Sequence, residues 1–244
     1  MTERKKLGLI YSIAFVIMLA LNYWTANDVG MIARQDQVII QPASYVFSIW
    51  GLIYILLLFW LIRLFVVDDE KEVVYDKLSY WPVANFILNG MWIIAFTQEW
   101  KLASVIIITA LLITLIVIYL KITKYRTHWF DRVPFSVYFA WGTVATIVNI
   151  VDWVNDMEIE EVLGLNEYQW TLILLVIATG IALLVSLVRM DWIYPLVFVW
   201  TYVGIIIENE NQLFLLTIIC AMGIVFQVLG STIVLFERIR RRSA

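Results

Sequence analysis

Residues 42–65 read PASYVFSIWGLIYILLLFWLIRLF, and between Ala43 and Ile62 there is no charged residue. An uncharged apolar run of this length matches the ~20 residues an α-helix needs to cross ~30 Å of hydrocarbon. The same kind of run recurs along the chain. Hydropathy predicts helices over 7–26, 43–66, 79–98, 102–122, 133–153, 169–189, 192–208 and 212–236, of which the seventh is the shortest. The expected fold class is therefore all-α, a polytopic transmembrane helical bundle of about eight spans. The composition agrees, with 63% hydrophobic and 15% charged residues over 244 positions and a mean hydropathy of +0.87. Soluble domains are nearer half apolar and a quarter charged, so lipid must solvate part of this surface. The first helix is not read as a cleaved signal peptide, because Asn22-Tyr23-Trp24 is too bulky for a small-residue cleavage site.

The placement of Lys and Arg tests this map. With eight spans both termini share a side, and that side holds Arg4, Lys5, Lys6, Arg63, Lys71, Lys77, Lys121, Lys124, Arg126, Arg132, Arg189, Arg238, Arg240, Arg241 and Arg242. The other side holds Arg34 and Lys101. Such an asymmetry predicts that both termini are cytoplasmic, in a multi-pass protein of a bacterial plasma membrane. Acidic residues gather in the 68–76 loop and the outer 152–167 segment, so the net charge of −3 hides two opposite patches. The basic tail from Arg238 to Arg242 anchors topology and can touch anionic lipid. Nothing in the sequence suggests nucleic acid as a partner.

Chemistry at depth is restricted. No Asp, Glu, Lys or Arg falls near the middle of a span, which disfavours ion-coupled pumping and a retinal Schiff base. Cys220 is alone and read as buried packing. His128 is alone in a polar loop, so no histidine pair is available for haem or metal. The sequence predicts no metal site, no catalytic residue and no required cofactor. What remains is aromatic. Phe47, Trp50 and Tyr54 stand at i, i+3 and i+7, one helical face. Asn89, Trp92 and Phe96 repeat that spacing in the third span. In the fifth, Tyr138, Trp141, Ala145 and Asn149 share a face. Each stripe by itself reads as helix packing, with Gly51, Gly90 and Gly142 as small residues that let helices approach. Together the three stripes combine flat rings with N–H, O–H and amide tips, which need partners when buried. At 1.5 Å per residue Trp50 lies ~11 Å below the outer end of its span. The three faces are expected to meet in one pocket that opens outward beneath the 27–42 loop, suited to a flat hydrophobic ligand.

The runs P-x-x-x-V-F-x-x-x-W-x-x-x-Y from Pro42, N-x-x-W-x-x-x-F from Asn89 and P-x-x-x-Y-x-x-W-x-x-x-A-x-x-x-N from Pro134 fall in the order and spans of the TspO family. Those are the tryptophan-rich sensory proteins related to the mitochondrial translocator protein. The chain resembles that family over roughly residues 5–155. The resemblance implies a five-helix unit that binds porphyrins or related lipophiles under its first loop, with Trp50 and Trp141 as the pocket indoles, and it implies homodimers. Its partners are then membrane lipid and a hydrophobic small molecule. On this reading residues 1–155 form the ligand-binding unit and 156–244 a three-helix transmembrane extension. The family unit usually ends after five helices, its first loop often carries Trp where 27–42 has none, and Asp152-Trp153 stands where a sterol-type motif would have a basic end. The leading functional expectation is a ligand-binding sensor, carrier or scavenger, with a receptor or transport role rather than an enzymatic one. Two alternatives stand beside it. One is a membrane scaffold whose aromatics only pack helices. The other is an enzyme degrading porphyrin with light or oxygen through its indoles.

Overall fold

The computed structural model describes residues 3–32, 37–67, 74–125, 128–210 and 212–243. Arg34, Lys71 and Arg126, with parts of the 27–42 and 68–76 loops, lie outside the described residues. Among those described, the regular structure is helical: α1 (Glu3–Ile32), a 3-10 turn (Ser44–Ser48), α2 (Ile49–Val66), α3 (Val74–Leu78), α4 (Trp81–Thr97), α5 (Lys101–Lys124), α6 (Trp129–Asp156), α7 (Glu167–Arg189), α8 (Tyr194–Glu208) and α9 (Phe214–Ser243). Each expected span coincides with a helix. Among the described residues six segments are long and apolar enough to cross a membrane, those containing α1, α2, α5, α6, α7 and α9. α4 and α8 are apolar but shorter, with 17 and 15 residues. At 1.5 Å per residue they rise about 25 Å and about 22 Å.

Lipid exposure explains the composition. α2 turns Ile55, Leu58, Phe59 and Ile62 outward while Ile53, Leu57, Trp60, Leu61 and Leu64 are buried. α7 likewise exposes Val176, Ile177, Leu184 and Val188 and buries Leu175, Ala178 and Ala182. A helix apolar on both faces is stable only where one face meets protein and the other meets acyl chains. α6 differs, because 78% of its apolar window is buried.

Packing divides the chain into two compact units. The first comprises residues 1–35 and 49–142, and the second 36–48 and 143–244. α6 is continuous through the division, its earlier turns belonging to the first unit and its later turns to the second.

In the first unit α4 packs on both α1 and α5. Small residues set the distances: a Cβ on Gly90 would meet Leu21 Cδ1 at 2.8 Å, and one on Gly142 would meet Leu115 Cδ1 at 2.9 Å. Gly51 does not share that role. It is exposed, and a Cβ added there would meet nothing within 4 Å. One end of this unit holds most of its described basic residues, Lys101 at the start of α5 being apart from them. Arg63 Nε lies 3.1 Å from Asp131 Oδ1, which also accepts from Tyr75 Oη at 2.8 Å. Arg4 donates to Leu64 O at 2.8 Å and lies over the Tyr75 ring. Lys121 donates to Lys77 O, and Arg132 donates to Tyr119 Oη at 2.6 Å. Asp131 is fully buried, where a carboxylate needs both a cation and hydrogen-bond donors.

In the second unit α9 packs on α7 and α8. α7 begins with a capping box in which Asn166 and Gln169 exchange side-chain and backbone hydrogen bonds. Asp191 caps the approach to α8 by accepting from Ile193 N and Tyr194 N. Residues 37–48 are sewn into this unit. Ile39 N donates to Glu167 Oε1 at 2.6 Å, Asn209 Nδ2 donates to Ile39 O, and Ala43 N donates to Gly204 O at 3.1 Å. Trp200 Nε1 donates to Val46 O. A Cβ on Gly204 would collide with Val46 Cγ2 at 2.2 Å, so glycine is what admits the 3-10 turn against α8.

Candidate functional site

Within the first unit Trp50 is the hub of an aromatic cluster. Its ring centroid lies 5.9 Å from Tyr54, 5.4 Å from Trp92, 5.8 Å from Tyr138 and 6.1 Å from Trp141. Tyr138 and Trp141 meet it edge-on, at 77° and 89°. Trp92 passes the contact on to Phe96 at 5.4 Å. These separations and angles are those at which ring quadrupoles attract. Within each helix the cluster residues share a face by their spacing, and packing between helices brings the three faces together. Trp50 and Tyr54 are one turn apart on α2, Trp92 and Phe96 one turn apart on α4, and Tyr138 and Trp141 three apart on α6. Trp92, Tyr138 and Trp141 are buried, whereas Trp50, Tyr54 and Phe96 keep partial exposure.

A chain of polar side chains ties the cluster's helices together. Tyr54 Oη donates to Asn22 Oδ1 at 2.7 Å. Asn22 Nδ2 donates to Asn89 Oδ1 at 2.8 Å, and Asn89 Nδ2 donates to Tyr138 Oη at 2.8 Å. The chain crosses from α2 through α1 and α4 to α6. In a hydrocarbon setting such groups are costly unless paired, and here each supplies the other's partner.

Asn22 is the residue that sequence reasoning missed. It belongs to no aromatic stripe, and its partners are 32 and 67 residues away. The available signal was an amide among apolar residues of a span, one turn after Met18, on the face that carries buried Tyr11, Phe15 and Met18.

The remaining candidates belong to the second unit. Ala145 is buried on α6, and Asn149 Nδ2 donates to Ala145 O of the preceding turn at 2.8 Å. Phe47 is half-buried in the 3-10 turn. The expected single face Phe47–Trp50–Tyr54 is therefore interrupted, because α2 begins only at Ile49. The interruption has a cause. Val46 N bonds to Ala43 O in a tight turn, and Val46 O is taken by Trp200, which removes that carbonyl from a regular helical ladder.

The expected lid is altered as well. α1 runs on to Ile32, which shortens the 27–42 loop. Val38 and Ile40 are buried in the second unit rather than lying as a loose cover. Tyr119 is buried against Phe139 and bonded to Arg132.

A family model described as TSPO-like protein matches residues 8–234. No curated protein matches the chain. No solved structure matches it either.

Proposed function

The chain belongs to the TSPO-like protein family, and on that premise we propose that it binds a flat hydrophobic ligand of porphyrin or tetrapyrrole type at the Trp50 cluster. Its setting is a bacterial plasma membrane with both termini cytoplasmic, and its role is that of a sensor, carrier or scavenger. The observation that carries this reading is the gathering of Trp50, Tyr54, Trp92, Tyr138 and Trp141 around one hub, next to the Asn22–Asn89 amides. Partly exposed Trp50 is the ring that yields, and the buried indoles of Trp92 and Trp141 with the buried phenol of Tyr138 form the receiving wall. The site lies within residues 1–155, the part that resembles the ligand-binding unit.

The scaffold reading has its own support. The rings already touch one another, and the amides and phenols already satisfy one another. One experiment separates the two. Porphyrin is titrated into purified full-length protein and into Trp50→Phe and Trp141→Phe variants, and each variant's melting temperature is measured. Ring contacts beyond area burial are worth about 0.5–1.5 kcal/mol. The expected outcome is a few-fold to about tenfold loss of affinity at ~1.4 kcal/mol per decade. Affinities equal to the parent's, with melting temperature alone reduced, make these residues packing residues.

A further inference from the structure

The second unit has a groove of its own, of about 240 Å³, lined by the end of α6, the 157–166 connector and the start of α7. We infer that this groove binds a small amphipathic organic cation: an aromatic or branched alkyl body in the apolar trough, with its positive charge at Glu160.

The walls are mostly apolar, with Val154, Leu165, Trp170 and Leu174 among them, and Asn155 adds one amide. They are also fixed. Val162 and Leu165 exchange both backbone hydrogen bonds, at 2.9 and 3.1 Å. The two residues between them, Leu163 and Gly164, have φ of 56° and 75°. That is the left-handed pair of a tight hairpin turn, a conformation that glycine tolerates and leucine adopts only when held. Trp170 Nε1 holds it by donating to Val162 O at 2.9 Å. With its one N–H used this way, the indole offers the groove only its carbon surface, which suits an apolar body or a cation over the ring.

The occupant's charge follows from the rim. Residues 152–167 contain Asp152, Asp156, Glu158, Glu160, Glu161 and Glu167 and no Lys, Arg or His. Glu167 lines the groove but its carboxylate is engaged by Ile39 N. Glu160 also lines it, is exposed, and makes no ion pair among the described residues. An anion is repelled by this surround, and a neutral polar ligand can bond the Glu160 carboxylate or the Asn155 amide but has no apolar body for the trough. A hydrated metal ion gains nothing from the apolar walls. An organic monocation with a hydrophobic body gains from both.

The inference is independent of the porphyrin reading, and its test leaves the Trp50 cluster intact. Full-length protein in nanodiscs of zwitterionic lipid is dialysed against 2-naphthylmethyl-trimethylammonium and against the neutral isostere 2-neopentylnaphthalene, with protein-free nanodiscs subtracted. The cation is expected to bind saturably, about two- to fivefold tighter than the isostere, as an exposed charge pair allows, and more weakly at high salt. Glu160→Gln should erase that margin and leave isostere binding unchanged. Val154→Trp, which fills the trough, should remove binding of both. Equal binding of cation and isostere, full cation affinity in Glu160→Gln, or binding that survives Val154→Trp in protein of parental melting temperature would each overturn the inference.

Discussion

Trp50 and Trp60 stand ten residues apart on α2, and each centres an aromatic cluster. Trp60 is wholly buried, stacked on Tyr11 at 6.0 Å, with Tyr75 at 5.4 Å and Phe135 edge-on at 5.0 Å. Its indole N–H has no partner among the described residues. Trp50 is partly exposed, and its neighbours Tyr54 and Tyr138 are bonded into the amide chain. The same residue type on the same helix thus sits in two environments. Around Trp60 the rings are sealed over and locked from behind by Arg63–Asp131–Tyr75, which suits a structural plug. Around Trp50 the rings meet polar partners and keep partial exposure, the setting that the proposed ligand site requires. Aromatic content alone does not distinguish the two. Exposure and polar connection do.

The largest effect separates them by stability. Trp60→Ala should cost about 3–5 kcal/mol, the range for deleting a buried large aromatic. Trp50→Ala should cost about half of that or less, because part of its ring is already out of the core. Thermal and denaturant unfolding in detergent read both values. Equal losses would dissolve the contrast and make both clusters plugs.

A middle effect tests the amide chain. Asn22→Ala removes the acceptor of Tyr54 and the donor to Asn89 while leaving every ring in place. Leaving buried polar groups unpaired costs about 1–3 kcal/mol. The melting temperature should fall, and porphyrin affinity should fall with it when measured below the transition. An unchanged value of both would mean that water replaces Asn22 at no cost and that the chain does not order the cluster.

The smallest effect concerns glycine beside Trp50. Gly51→Ala should stabilise α2 by about 0.5–1 kcal/mol, since alanine loses less backbone entropy and its methyl meets nothing. Gly142→Ala should have the opposite sign, because its methyl must displace Leu115. Comparing the two melting temperatures checks this, and a destabilised Gly51→Ala would show that the open face beside Trp50 is occupied.

The helices were legible because lipid-facing runs need no partner to be recognised, and length with apolarity identifies them. The Trp50 cluster was legible too, since i, i+3 and i+7 spacing places Trp50 with Tyr54 and Trp92 with Phe96 whatever the neighbours are. Asn22 was not, because its role is made by residues on three other helices. Nor was the break at Ser48: helical phase was carried back to Phe47, whereas Trp200, 154 residues later, captures the Val46 carbonyl and resets it. Gly51 misled for the converse reason, since a small residue in a span marks a close approach only if a helix lies on that side. Ten residues of separation along the span already set Trp60 apart from Trp50, but that Tyr11, Tyr75 and Phe135 close over Trp60 as a second cluster was not legible.

The path of residues 37–48 has a consequence for biosynthesis. This segment emerges early from the ribosome, yet the groups that hold it arrive much later, Glu167 after 128 residues, Trp200 after 154 and Asn209 after 170. Until then Val38, Ile40 and Val46, all buried in the finished protein, lack their permanent surroundings. The early helices can insert in order, but the link between the first two must wait for the last third of the polypeptide. A nascent chain that ends before α8 still lacks the Trp200 and Asn209 contacts that hold this link in the finished protein.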